Sequence, residues 1–172
     1  MLVRLTDESQ KRKFDVVISD TSDPEGPAAA LFEAKFYRTL HHALKAGGRI
    51  ATQAESVWLD LDLIAGLVKI GHRIFENVAY ATTQIPTYAG GQIGILIAKK
   101  ACEGVPKQSW ADFKKVCRPM PKGMQANLKY YTIRLHDACF RLPKFVHDRV
   151  AAAIEETETD EAAASAAKRQ KL

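Results

Sequence analysis

Two aspartates three residues apart, Asp20 and Asp23, stand in the segment Asp20-Thr-Ser-Asp-Pro-Glu-Gly-Pro27, directly behind the apolar run at 14–19. A second polar group follows another short apolar run: Gln53, with Glu55 close behind. A third, Thr87 and Tyr88, lies between Pro86 and Gly90-Gly91. In open α/β sheets ligands bind outside the carboxyl ends of the strands. If the apolar runs are strands, carboxylates, an amide and a phenol converge on one cleft, a set that suits a cationic, amine-bearing ligand. Each residue also has an ordinary structural use. Asp20 and Asp23 can organise a loop through Asx turns, Gln53 and Glu55 can cap a helix starting near Ser56, and Tyr88 can simply pack in its turn. His41-His42 fall on a helical face and read as surface or core packing rather than catalysis. His136 and Cys139 form an H-x-x-C pair without a second pair at ligand spacing, so no metal site is expected.

Positioning such residues requires a frame. Phe14-Asp-Val-Val-Ile-Ser19 is short, apolar and β-branched, the pattern of a strand buried on both faces in a parallel sheet. From Ala28 the spacing turns helical through Leu31, Phe32, Phe36, Leu40 and Leu44, with Gly47-Gly48 as the stop. Arg49-Ile-Ala-Thr-Gln53 is the next strand. A second amphipathic helix carries Trp58, Leu61, Ile64, Leu67 and Val68 inward. Strands follow at 76–83 and 92–98, joined by a connection too short for a helix, hence an antiparallel hairpin at a sheet edge. The order strand, helix, strand, helix, strand, strand predicts an α/β fold. It is the second half of a methyltransferase-like Rossmann doubly wound sheet, ending in the hairpin.

After Lys100 the signal weakens. Segments around Trp110 and Asn127 to Tyr131 read as irregular, and 136–153 as helix interrupted at Pro143. The organisation expected is a lead-in at 1–13, a catalytic-domain portion at 14–150, and a low-complexity, disordered tail at 151–172.

Composition narrows the function classes. The chain has 172 residues, 47% hydrophobic and 26% charged, the balance of a globular protein. No apolar run reaches the ~20 residues of a membrane helix, and the N-terminal residues carry acids where a secretory signal needs an apolar stretch. Cys102, Cys117 and Cys139 are odd in number and lack C-x-x-C spacing, which reads as reduced thiols in a cytoplasmic protein. The net charge of +5 is concentrated at 99–149, with 12 Lys/Arg against 4 Asp/Glu, while 1–98 hold 10 against 11. Without aromatic residues interleaved in an RNA-binding pattern, that basic stretch reads as a solvated or subunit-facing surface rather than a nucleic-acid site.

Five segments carry a family resemblance. Asp20-Thr-Ser-Asp-Pro-Glu-Gly-Pro-Ala28 with Leu31-Phe32 resembles the catalytic loop of spermidine synthases, D-S-S-D-P-x-G-P-A-x-x-L-F. Thr52-Gln-Ala-Glu-Ser-Val-Trp-Leu59 is similar to their T-Q-A-E-S-x-W-L, and Pro86-Thr-Tyr-Ala-Gly-Gly-Gln-Ile-Gly94 to their hairpin P-T-Y-x-x-G-Q-I-G. Leu128-Lys-Tyr-Tyr131 and Ala138-Cys-Phe-Arg-Leu-Pro-Lys-Phe145 are similar to the closing L-K-Y-Y and A-x-F-x-L-P-x-F. All five follow the family's order and spacing between about 14 and 150.

The resemblance implies an aminopropyltransferase of polyamine biosynthesis. It would move an aminopropyl group from decarboxylated S-adenosylmethionine, a co-substrate rather than a cofactor, to putrescine, giving spermidine and methylthioadenosine. By the same resemblance Asp20 is the proton acceptor and Asp23 holds a putrescine ammonium. Gln53, in part through water, and Tyr88 orient the diamine. Thr21 and Ser22, with Asp20, lie beside the adenosyl donor, and Pro27 and Leu31 form its apolar wall. Thr21 replaces the family's usual first serine and keeps the hydroxyl. The family's N-terminal β-rich domain, its first three strands and its Gly-Gly-Gly-Asp-Gly loop have no counterpart before Phe14. The expected state is therefore an incomplete enzyme, a truncated gene product or half of a split one, that gives no turnover alone; the expected protein partner is a second copy of the chain, in a homo-oligomer, or a full-length synthase. The alternative is a catalytically inactive fragment or regulatory partner. No nucleic acid or membrane partner is expected.

Overall fold

A computed structural model of the chain describes residues 13–104 and 120–169. The expected features at 1–12, around Trp110 and Cys117, and at 170–172 lie outside the described residues. Four strands form one sheet: β1 (Phe14–Ser19), β2 (Leu44–Gln53), β3 (Asn77–Gln84) and β4 (Gln92–Lys99). Their order is β1-β2-β4-β3, with β1 and β2 parallel and β4 antiparallel to both β2 and β3. The antiparallel hairpin is present, with β3 at the sheet edge and β4 inserted between β2 and β3. The helices are α1 (Ala34–Ala43), α2 (Leu61–Ile74), α3 (Met124–Asn127), α4 (Ile133–Cys139) and α5 (Lys144–Arg169).

One face of the sheet carries the main core. Ile50, Val78, Tyr80, Leu96 and Ala98 meet Tyr37 and Leu40 of α1, Ile64, Leu67 and Val68 of α2, and Val146 and Val150 of α5. The opposite face is covered at the β3 side, where Ala79 and Ala81 pack on Phe140 with Ile97 and Cys139. At the β1 side no element among the described residues covers it.

That opening corrects the expectation of a doubly buried first strand. β1 is the other edge of the sheet, and Phe14, Val16 and Ile18 are 44%, 56% and 79% exposed. Only Val17, pointing the other way, packs against the main core.

The first helix also differs from its expected extent. Pro27 opens a 3-10 segment at Gly26–Phe32, Glu33 is extended, and α1 stops at Ala43. The glycine pair is not the helix stop but a feature inside β2. Gly47 takes a positive φ of 72°, and a Cβ on Gly48 would come within 3.1 Å of the Phe14 carbonyl oxygen, where the β1–β2 register shifts. The helix end is held by Lys100, whose ammonium donates to the His41 and Leu44 carbonyls at 2.9 and 3.1 Å.

The expected disordered tail is instead part of α5. Val146, Val150, Ala153 and Thr157 recur at helical spacing and are buried. Lys69 reaches Glu156 and Asp160, Arg73 reaches Asp160, and Arg149 reaches Asp62 across the α2–α5 seam. Small residues in the stripe disguised an amphipathic helix as low complexity. Pro143 lies just before α5, where its missing N–H costs nothing. No helix among the described residues is long and apolar enough to cross a membrane.

Candidate active site

β1 and β2 run parallel, so Ser19 and Gln53 finish at the same end of the sheet, which the β3–β4 turn also occupies. Gln53, 4% exposed, joins the three. Its Oε1 accepts from the Thr21 hydroxyl at 3.1 Å, and its Nε2 donates to Glu55 Oε1 and to the Tyr88 hydroxyl, both at 2.9 Å. One carboxamide thus ties the loop after β1, the turn after β2 and the β3–β4 connection.

The turn after β2 is unusual. Glu55 has φ 57°, a left-handed conformation that a non-glycine residue holds only when its surroundings enforce it. Here the enforcing groups are visible. The Gly94 N–H and the Tyr80 hydroxyl donate to the Glu55 carbonyl at 2.7 and 3.0 Å, and the Ala54 N–H donates to Gly94. A Cβ at residue 94 would fall 1.7 Å from the Tyr80 hydroxyl and 2.6 Å from the Glu55 carbonyl oxygen. Pinned in this way, residues 54–56 cannot begin a helix, so α2 starts at Leu61 rather than near Ser56, and Glu55 is not a cap. Trp58, expected on the inner side of α2, precedes the helix and is 60% exposed beside Phe145.

In front of this turn lies an open cavity of about 450 Å³, lined by Asp23, Glu25, Glu55, Asp60, Thr87 and Tyr88 among others. Burial pushes the Glu55 carboxyl pKa up, and the charges of Asp23 and Asp60 add to that, against the hydrogen bond from Gln53. Burial also raises the Tyr88 phenol, with Glu55, Asp23 and Asp20 adding and the Gln53 contact opposing. The electrostatic character is uniformly negative, the complement of an amine cation.

Residues 3–108 match the spermine/spermidine synthase domain. The chain belongs to the spermine/spermidine synthase family. It is 38% identical over 148 residues to the spermidine synthase of Schizosaccharomyces pombe, covering 83% of this chain and 46% of the relative. It is 38% identical over 149 residues to the spermine synthase of Arabidopsis thaliana, covering 84% and 40%. A crystal structure of spermidine synthase in complex with the transition state analogue AdoDATO superimposes with a TM-score of 0.63 at 25% identity, covering 82% of this chain and 46% of that one. The chain therefore spans about half the length of the relatives it matches, and its α/β sheet carries the methyltransferase-like arrangement of these spermidine synthases.

Within this family member, the residues singled out in the sequence fall into two sets. Asp23 and Tyr88 line the cavity, with Thr87 and Glu55 beside them. Gln53 stands behind Tyr88 and Glu55, both of its N–H groups engaged by protein. Asp20, Thr21 and Ser22 occupy the loop leaving β1, outside the cavity lining. Pro27 is exposed at the start of the 3-10 segment, and Leu31 packs against the main core. Glu25 and Asp60 line the cavity without having been anticipated. Glu25 sits at the unspecified position of the loop motif, and Asp60 has the residue type and place of an ordinary helix cap.

Proposed function

We propose that this chain carries the amine side of an aminopropyltransferase that moves the aminopropyl group of decarboxylated S-adenosylmethionine to putrescine. The observation that supports it is the acid-lined cavity at the strand ends, formed by Asp23, Glu55 and Tyr88 in a chain of this family. An alkyl ammonium has a pKa of about 10 and has no free lone pair at neutral pH. A carboxylate at the amine removes that proton and aims the nitrogen at the methylene carbon next to the sulfonium. The C–N bond forms as the C–S bond breaks, the electron pair of that bond stays on sulfur as a neutral thioether, and the proton passes to the base. No acid is required at the leaving group.

In this reading Asp20 is the base, Asp23 holds the remote ammonium, and Tyr88, steadied by Gln53, orients the chain of methylenes. Thr21 and Ser22 lie beside the adenosyl group, with Pro27 and Leu31 forming its apolar side. The nucleoside grip comes from the other half of the family's fold, so turnover requires that half.

The test is aminopropyl transfer from the labelled donor to putrescine, by this chain alone and mixed with a polypeptide carrying the amino-terminal half of a relative. No turnover is expected alone, and turnover is expected in the mixture. Asp20→Asn should then lower kcat by about 10²-fold or more. Full activity from the isolated chain would remove the requirement for a second half. An unimpaired Asp20→Asn mixture would remove Asp20 from the role of base.

A further inference from the structure

Gln53 joins three loops, and its carboxamide does so in only one orientation. The group is buried, with one oxygen to accept and two N–H bonds to donate. As placed, Nε2 donates to Glu55 Oε1 and to the Tyr88 hydroxyl, at 2.9 Å each. Turned by half a rotation, the amide would set its oxygen against the Glu55 carboxylate, acceptor facing acceptor, and both bonds would be lost.

The two partners of Nε2 are fixed by backbone. Glu55 is held in its left-handed turn by Gly94 and Tyr80. Tyr88 sits in a turn closed by its N–H to the Ile85 carbonyl at 3.1 Å and by the Gly91 N–H to its own carbonyl at 2.8 Å. The carboxamide, by contrast, ends in a torsion with a broad, two-fold profile, so its own bonding does not select one orientation. On its oxygen side stands Thr21, whose hydroxyl donates to Oε1 at 3.1 Å. Thr21 is half-buried between the exposed Asp20 and Ser22, turned inward from the loop after β1. A buried carbonyl stripped of its donor is costly. Rotation toward water in the cavity lets the amide recover one, and Nε2 then leaves Glu55 and Tyr88 although neither has moved.

We propose that Thr21 is a positioning residue of the acceptor side: its hydroxyl sets the orientation of the Gln53 carboxamide, and through it the hydrogen bonding of Glu55 and Tyr88 at the cavity. The link to amine binding rests on the aminopropyltransferase reading, and it gives Thr21 a task besides proximity to the adenosyl group. The same bond ties the Asp20–Asp23 loop to the turn after β2, so a change at Thr21 is felt on both sides of the cavity. Burial, Asp23 and Asp60 raise the Glu55 carboxyl pKa, and burial, Glu55, Asp23 and Asp20 raise the Tyr88 phenol, while the Gln53 hydrogen bond opposes both. Loss of that bond therefore moves both groups further upward.

Thr21→Val and Thr21→Ser separate hydroxyl from shape. Valine keeps the branched outline without the hydroxyl, and serine keeps the hydroxyl without the methyl. In Thr21→Val the Gln53 side-chain amide protons, followed by nuclear magnetic resonance on the full chain, should exchange with water at least tenfold faster. The Glu55 carboxyl should titrate at higher pH, and putrescine affinity measured by calorimetry should fall at least fivefold. Thr21→Ser should stay within twofold of the parent in exchange and affinity, with the Glu55 midpoint unmoved. If Thr21→Val unfolds, as read by its melting curve, Thr21→Ala must show the same three changes. A Thr21→Val chain that behaves as the parent, or a Thr21→Ser chain that behaves as Thr21→Val, overturns the proposal. A parent that does not bind putrescine overturns the aminopropyltransferase reading, while amide exchange and the Glu55 titration still decide the role of Thr21.

Discussion

Gln53 and Glu55 illustrate how one side chain sets the chemistry of another. The Gln53 carboxamide is spent on protein contacts, to Thr21, Glu55 and Tyr88, so it fixes the site's shape and leaves charge to the acids. Glu55 then carries the cost of being a carboxylate out of water and near two others. Its folded-state pKa lies above the ordinary value of 4.5. A carboxyl shifted in that direction binds its proton more tightly when folded. Its contribution favours folding at pH below the unfolded pKa and is lost as the pH rises through the folded one. Glu55→Gln keeps an acceptor for the Gln53 N–H and removes the charge. The variant is expected to melt at a higher temperature than the parent at pH 7–8. Thermal melts followed from pH 8 downward should show that advantage closing toward pH 4.5. A parent more stable than the variant at pH 8 would refute the account of Glu55 as an uncompensated buried acid.

Gly94 in β4 is the element-scale counterpart, because the turn that presents Glu55 exists only if β4 comes this close. Gly94→Ala puts a methyl group into the Tyr80 hydroxyl and the Glu55 carbonyl, one buried and hydrogen-bonded, the other backbone. Neither can swing aside, so about 1–3 kcal/mol of stability should be lost. Amine affinity should fall by more than the stability loss explains, because the Glu55 turn is displaced; calorimetry at a temperature where the variant is still folded separates the two effects. Affinity equal to the parent's would show the turn to be independent of Gly94. What could be read from sequence follows the same division. Strand ends bearing Asp23, Gln53 and Tyr88 were legible because short β-branched runs and turn residues mark where strands stop. The left-handed Glu55 was not, because its cause is a contact with Gly94 and Tyr80 far along the chain. Asp60 was hidden by its suitability as a cap. The helix through 151–169 was hidden because Ala153 and Thr157 bury too little surface to look like a core stripe.

At the scale of the whole molecule the sheet is doubly covered at one side and bare at the other. Val16 and Ile18 pair in register with Arg49 and Ala51, so their outward side chains continue the sheet face that Phe140 covers farther along. Toward β1 that face has no layer over it among the described residues. Among the described residues no strand pairs with the outer backbone edge of β1, and an apolar edge strand is a template for pairing with another strand. The chain's length, about half that of its relatives, fits the view that a further part of the family's fold covers this surface. Left alone, the chain should therefore self-associate at tens of micromolar, measured by sedimentation velocity. Ile18→Lys places a charge at the most exposed of the three apolar positions, where the side chain makes least contact with the core. It should shift the distribution toward monomer with an unchanged far-ultraviolet spectrum and a Tm within about 1 °C of the parent's, as expected of a surface substitution. The polypeptide carrying the amino-terminal half of a relative should compete with that self-association, since it needs the same strand edge, and Ile18→Lys should weaken its binding as well. A chain that is monomeric at all concentrations and still binds that half would place the docking surface somewhere other than β1.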